Sequence, residues 1–261
     1  MGQTAVNSLE PLTVDTARRL LADRPHLSAF VFSDDLVADA SFHSNGTCII
    51  VDSPAGALYA ALPRCIHLYP LTDNPPVALD WIAWDRNETV FVFVPHLIKI
   101  SLAGRLGTSV ETYERYVRAR NVHKLFRHPI QPLGAMDFRA LERLYAMTGT
   151  ARFSRRVFDR GTYVGLFREG ELVGAYGTHF LNDRQGIAMT GFLAVHPEAR
   201  GEGVGRDLVF ALIDSLRARY PLIVCDIAPG NTPSIRAHLA AGFSPTGIVY
   251  QGYLCEGGIK C

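Results

Sequence analysis

Val195-His196-Pro197-Glu198-Ala199-Arg200-Gly201-Glu202-Gly203-Val204-Gly205 is the stretch on which the fold of this 261-residue chain turns. The apolar run Ile187–Val195 before it reads as a strand. After it, a helix is expected from about Gly205 to Arg219, with Leu208, Val209, Leu212, Ile213 and Leu216 on one stripe. Alternate glycines therefore sit where a sheet hands over to a helix. Without side chains there, successive backbone N–H groups converge on one concave spot, and the helix adds the positive end of its dipole. Such a loop suits an anion, best of all a pyrophosphate. A flexible turn between strand and helix is the bland reading of the same residues.

A dinucleotide fold is the sharper rival. Asp226 ends the next strand, Leu222–Ile227, about 20 residues on, where a ribose-binding acid belongs. Three features oppose it. Arg206 stands where the third glycine of G-x-G-x-x-G should be, residues 196–200 separate strand from glycines too widely, and the preceding strands read as hairpins rather than βαβ crossovers.

Working outward, 136–147 has helical spacing, and strands at 162–168 and 171–180 flank Glu169-Gly170, a dipeptide that supplies the positive φ of a tight turn. Asn182-Asp183-Arg184-Gln185-Gly186 turns the chain into Ile187–Val195. Beyond Leu222–Ile227 another helix is signposted by Thr232 as N-cap, Pro233 at its first position and Gly242 just past its end. Residues 248–254 form a last strand.

Arg200-x-x-Gly203-x-Gly205 matches the Q/R-x-x-G-x-G/A pattern of the GNAT acyltransferase superfamily. Asn231-x-x-Ser234-x-x-x-His238-x-x-x-Gly242-Phe243 resembles its second motif, with one helix and one strand between the two, as in the family. The similarity runs from about Met136 to Leu254. Within the superfamily, Gly161-x-Tyr163-x-Gly165, Gly177-Thr178-His179 and the long upstream region look most like the glycine N-acyltransferase-like branch.

The resemblance implies an α/β (α+β) protein whose C-terminal GNAT fold surrounds a mixed central sheet. It implies acetyl-CoA or another acyl-CoA as co-substrate and a small-molecule amine, or an amino acid, as acceptor. Main-chain groups of Arg200, Gly201, Glu202, Gly203, Val204 and Gly205 would hold the pyrophosphate. The pantetheine arm would lie along Leu193, Ala194 and Val195 like an added strand, and an amide of that strand would polarise the acyl carbonyl. Asn231 and Ser234 would border the cofactor.

The amine attacks directly, so two proton transfers remain. At the position where the family carries a tyrosine that protonates the thiolate, this chain has His238, a residue able to donate near neutral pH; a polar residue on a helix surface is the bland reading. His179, late in a hairpin strand, is the first candidate for the base, against a structural role. Asp226 and Glu198 are weaker. Tyr250 and Tyr253 could line the cleft but suit a core, and Cys225 suits packing rather than nucleophilic chemistry. A non-catalytic acyl-CoA sensor, and a transferase taking its acyl group from aminoacyl-tRNA, stay open as alternatives.

Upstream, a helix is expected over 12–23, strands at 46–52, 57–62, 65–69 and 90–94, and helices at 76–84 and 96–106; 112–126 suits either strand or helix. This order repeats that of a GNAT unit. Its loop Pro70-Leu71-Thr72-Asp73-Asn74-Pro75-Pro76 lacks N–H donors at the prolines and carries an acid, so an N-terminal degenerate GNAT-like lobe that does not bind coenzyme A is expected, with an unrelated α/β extension as the alternative. The connector 128–134 places the boundary between lobes 1–128 and 129–261.

A net charge of +1 without a basic run disfavours nucleic acid. Five cysteines, Cys48, Cys65, Cys225, Cys255 and Cys261, have neither zinc nor disulfide spacing, so no metal is expected and a reducing cytoplasm fits. The most apolar stretch, 89–102, contains Pro95, His96 and Lys99 and falls short of a membrane span, so no membrane partner is expected. A homodimer is left open.

Overall fold

The computed structural model describes residues 10–23, 40–44, 46, 48–54, 64–71, 90–95, 111–122, 126–150 and 153–254. In chain order the elements are β1 (Glu10–Leu12), α1 (Val14–Leu20), β2 (Ser41–Ser44), β3 (Cys48–Pro54), β4 (Arg64–Pro70), β5 (Val90–Pro95), β6 (Glu111–Arg118) and β7 (Gln131–Pro132). There follow α2 (Phe138–Thr148), α3 (Arg155–Arg160), β8 (Tyr163–Arg168), β9 (Glu171–Asn182), β10 (Ile187–Val195), α4 (Val204–Leu216), β11 (Leu222–Ile227), α5 (Thr232–Ala240) and β12 (Phe243–Leu254). The chain divides into two compact units, Glu114–Thr246 and a second one joining Met1–Tyr113 to Gly247–Cys261.

In the unit that begins at Met1, β1 to β4 pair antiparallel in sequence, β4 pairs parallel with β5, and β5 pairs antiparallel with residues 249–254 of β12. Thr13 Oγ1 accepts the Thr16 N–H at 3.2 Å and so caps α1, which buries Ala17 with Phe42, Ile49, Val51 and Tyr69. The helix and the strands near 46–52, 65–69 and 90–94 fall where the sequence reading places them, and β1 was not expected. The expected elements at 57–62, 76–84 and 96–106 lie outside the described residues, as do 72–76 of the proline-rich loop.

In Glu114–Thr246 the strand order is β6, β11, β10, β9, β8, β7, with β10 and β11 parallel and the other pairs antiparallel. This mixed sheet separates two apolar clusters. Leu208, Val209, Leu212 and Ile213 of α4 pack on one face, and Phe138, Leu141 and Tyr145 of α2 with Phe158 of α3 pack on the other. The β8–β9 hairpin turns on Glu169 (φ 50°) and Gly170 (φ 84°), the double positive φ that brings two strands back with the right twist.

Several boundaries differ from expectation for local reasons. The 112–126 ambiguity resolves as β6, where Val117 faces Val224 and Glu114 faces Ile227 in register. Asn231, not Thr232, caps α5, its Oδ1 accepting the Ser234 N–H at 3.3 Å. The helix α3 escaped the sequence reading because it is short; Ser154 caps it. The connector expected to part the lobes lies within Glu114–Thr246.

β6 pairs with β11 through residues 114–117, in the second half of the chain, whereas β12 delivers residues 249–254 to β5 in the first half. Each unit therefore closes its sheet with a strand drawn from the other half of the sequence. Among the described residues no helix is long and apolar enough to cross a membrane, and no group of three or more His, Cys, Asp or Glu is placed to hold a metal ion.

Candidate active site

β10 is paired with β11 from Ile187↔Leu222 to Thr190↔Cys225, then runs on to Val195 without it. Its register to β9 breaks between Gly191 and Ala194, where Phe192 adopts φ 60°. That conformation is costly for a bulky residue; here the ring is buried, meeting Phe153 edge-to-face and Tyr145 at a tilt. The bulge leaves the Leu193, Ala194 and Val195 backbone edge exposed to a cavity of about 740 Å³, a size suited to a sizeable small-molecule ligand.

A 3₁₀ turn, Pro197–Ala199, carries the chain from β10 into the glycine loop. Gly201 (φ 82°) and Gly203 (φ 91°) are both left-handed, which only glycine adopts at little cost, and Gly203 is the N-cap of α4. A Cβ on Gly201 would meet nothing within 4 Å, so the loop faces open space. Arg200, Gly201, Gly203, Val204 and Gly205 line the cavity beside the α4 N-terminus, with Asn231 and Ser234 of α5 across from them. Glu202 does not line it; its carboxylate is paired with Arg168, which holds its pKa below the usual range. The cradle of main-chain donors fits a diphosphate, and its loop is not packed against protein.

Three arginines, Arg200, Arg206 and Arg236, edge the cavity, and among the described residues no Asp, Glu, His or Tyr lines it. Arg200 also donates from Nε to the Val195 carbonyl at 3.1 Å, tying the loop back onto β10. The field is cationic over a wall of Leu193, Ala194 and Val195, an arrangement for a ligand with a polyanionic end and an extended neutral arm. Thr148 and Thr150, joined by a 3.0 Å hydroxyl contact after α2, close the remaining side.

His238 stands elsewhere. It is 2% exposed, on the inward face of α5, with Nδ1 2.8 Å from the Ser234 carbonyl and Nε2 2.7 Å from the Tyr176 hydroxyl. The carbonyl can only accept, so Nδ1 carries the proton. The Tyr176 hydroxyl donates to Thr190 Oγ1 at 2.6 Å, and Thr190 in turn donates to the Val224 carbonyl at 3.2 Å. Burial pushes the imidazole down to about 4, against the smaller opposing effect of the Ser234 carbonyl. A neutral, sealed ring of this kind does not present a proton to the cavity. Ser234 Oγ, 3.4 Å from Nδ1, is the member of the group that lines it.

His179 lies on the opposite side of the sheet, its ring 4.1 Å from that of Phe192 and occupying the space a Cβ on Gly191 would need. The two histidines are therefore not brought together, and His179 is not among the cavity-lining residues. Asp226 is held bidentate by the Arg115 guanidinium, at 2.8 Å to each oxygen, with both side chains buried. It is an ion-pair partner of β6 rather than a free base. Glu198 is exposed in the 3₁₀ turn, and Cys225 is buried, its thiol pushed well up by desolvation. The side chains of Tyr250 and Tyr253 lie outside the described residues.

Residues 132–243 match the model of the Acetyltransferase (GNAT) family. The chain is also 30% identical, over 134 residues, to the phosphinothricin N-acetyltransferase of Alcaligenes faecalis, a match covering 43% of this chain and 68% of that protein. The chain belongs to the GNAT acetyltransferase family. Members of this family use acetyl-CoA. The crystal structure of a Drosophila protein superposes with a TM-score of 0.61 at 13% identity, covering 94% of this chain and 98% of that one. A tandem GNAT protein from the clavulanic acid biosynthesis pathway gives 0.51 at 16% identity, again covering 94% and 98%. At such identities the likeness is one of fold.

The motifs of this GNAT chain brought the glycine loop, the end of β10 and two α5 positions of the cavity wall into view. Thr148, Thr150, Ala199, Arg206, Pro233, Arg236 and Ala237 line it too and were missed. Arg236 lies three residues after Pro233 and shares its face of α5, so helical spacing carries a signal for it. Nothing local marks Thr148 and Thr150, which reach the cavity only because α2 packs across β10.

Proposed function

We propose that this protein transfers an acyl group, acetyl in the first instance, from acyl-coenzyme A to the amine of a small molecule or amino acid. The observation that carries the reading is the left-handed glycine pair at the α4 N-terminus, open to a cavity edged by arginines and walled by the free edge of β10. The amides of Arg200 to Gly205 would take the diphosphate, and the backbone of Leu193, Ala194 and Val195 would run beside the pantetheine. A neutral amine would attack the thioester carbonyl carbon, the C–N bond forming as the C–S bond breaks, with the thiolate leaving and the extra amine proton lost to solvent. A thiolate leaves readily, which agrees with a cavity lined by no acid among the described residues. The Alcaligenes relative, an N-acetyltransferase by name, supports the acetyl donor and the small acceptor. Membership of the glycine N-acyltransferase-like branch rests on Gly161, Tyr163, Gly165 and Gly177-Thr178-His179.

The test is thiol release from acetyl-CoA across a panel of amines, with Gly203→Glu as control. Turnover with at least one amine, and loss of coenzyme A binding in the variant, is the expected result. The absence of Asp, Glu, His and Tyr from the described cavity wall favours one second reading, a sensor that holds acyl-CoA without consuming it. Tight binding without turnover for every amine would select it.

A further inference from the structure

We propose that His128 is a positioning residue for the donor: its hydrogen bond satisfies the buried Asp207 carboxylate and so leaves Arg206 free to face the cavity. This rests on the reading that the cavity takes acyl-coenzyme A.

Asp207 sits in the first turn of α4, where its N–H bonds the Gly203 carbonyl at 3.1 Å. An acid there suits the helix dipole, but it also places a negative charge one turn behind a loop built for a diphosphate. Its side chain is 1% exposed, so water does not screen it. Burial pushes its carboxyl up, yet hydrogen bonds from His128, the Arg127 N–H and Arg206 outweigh that and hold it ionised below the usual range.

The donors are divided between the two oxygens. Oδ2 accepts the Arg127 N–H at 2.8 Å and His128 Nδ1–H at 2.9 Å, both from the connector that precedes β7. Oδ1 meets only the long contacts of Arg206, 3.4 Å from Nε and 3.3 Å from Nη2. The same guanidinium lies over the loop, where Nη2 would be 3.3 Å from a Cβ on Gly203, and Arg206 lines the cavity whereas Asp207 and His128 do not. Arg206 is thus shared between a buried carboxylate and the anion site. Two short bonds from the connector settle the sharing in favour of the site. Glu202, the other acid near His128, is already paired with Arg168.

Without His128, the donors left to Asp207 among the described residues are the Arg127 N–H and Arg206, and Arg206 would close onto Oδ1 and withdraw from the cavity. His128→Ala should then weaken coenzyme A binding on the order of tenfold, the effect of about one charge lost from the site. In steady state the KM for acetyl-CoA should rise while the KM for the amine holds. The discriminating variant is His128→Ala/Asp207→Asn. If His128 acts through the Asp207 charge, removing that charge returns coenzyme A affinity to within about threefold of the starting protein. If His128 merely packs the connector, the double variant binds as weakly as the single one or worse.

The experiment is calorimetric titration of coenzyme A into the full chain and these variants, with circular dichroism to check folding. His128→Gln, which keeps an N–H donor, should bind within about threefold of the starting protein and serves if His128→Ala does not fold. Unchanged affinity in His128→Ala, no recovery in the double variant, or tenfold loss in His128→Gln would each overturn the inference. Failure of the unaltered chain to bind coenzyme A would instead sink the donor reading, and this inference with it.

Discussion

His238 sits in the helix position where the family motif places a tyrosine, yet its ring is turned inward onto Tyr176 and Thr190. Its folded pKa, about 4, is below the ordinary 6.5, so the unfolded chain takes up the proton first as pH falls. The stabilisation from keeping the ring neutral is therefore complete above about pH 6.5 and drains away down to about pH 4, by on the order of 3 kcal/mol. Urea unfolding at pH 7.5, 6 and 5 should show that decline, and His238→Phe should flatten this part of the profile while lowering stability at pH 7.5 by roughly 1–3 kcal/mol, since the buried Tyr176 hydroxyl loses one of its hydrogen-bond partners. Tyr145 offers the opposite case. Its buried hydroxyl has no hydrogen-bond partner among the described residues, so Tyr145→Phe should leave stability unchanged or raise it by up to about 1 kcal/mol in the same assay. The motif spacing identified His238 as a residue of note, but spacing is blind to which way a buried ring faces once Tyr176 competes for it.

Among the elements, β11 depends on β6 for more than backbone pairing. Arg115 and Asp226 meet across that pair as a buried, bidentate ion pair. Arg115→Ala would leave a buried carboxylate uncompensated and should cost about 3–5 kcal/mol in thermal or urea unfolding, whereas Arg115→Met/Asp226→Leu should cost much less than the two single losses added together. The glycine loop is set by local backbone chemistry. Gly203→Ala must hold an L-residue at φ 91°, which should destabilise the protein by roughly 1–2 kcal/mol, and coenzyme A titration should show weaker binding. This element was legible because left-handed backbone demands glycine and a helix start demands a cap. The β10 bulge was not, because Phe192 is an unfavourable residue for φ 60° and only its packing keeps it there.

At the scale of the whole molecule, each unit is completed by a strand from the other half of the chain. A fragment of residues 129–261 would lack β6, leaving the β11 edge bare and Asp226 without Arg115, and its β12 would have no β5. It should fail to melt cooperatively or bind coenzyme A; a sharp transition with native affinity would show that the exchange of strands is dispensable. Composition and connector chemistry pointed to a boundary near residue 128, and they carried no trace of strands that change partners. What the sequence determined unaided is what neighbouring residues decide among themselves: the glycine loop, the Glu169-Gly170 hairpin, the stripe of α4 and the order of elements from β8 to β12, all following from φ preferences and the period of apolar side chains. Only the tertiary structure decided that His238 is sealed, that Asp226 answers to Arg115 at a separation of 111 residues, and that Arg206 is shared between Asp207 and the cavity. Those outcomes depend on which distant groups burial forces together, and a buried charge or ring takes the partner that best compensates its lost water, wherever in the chain that partner lies.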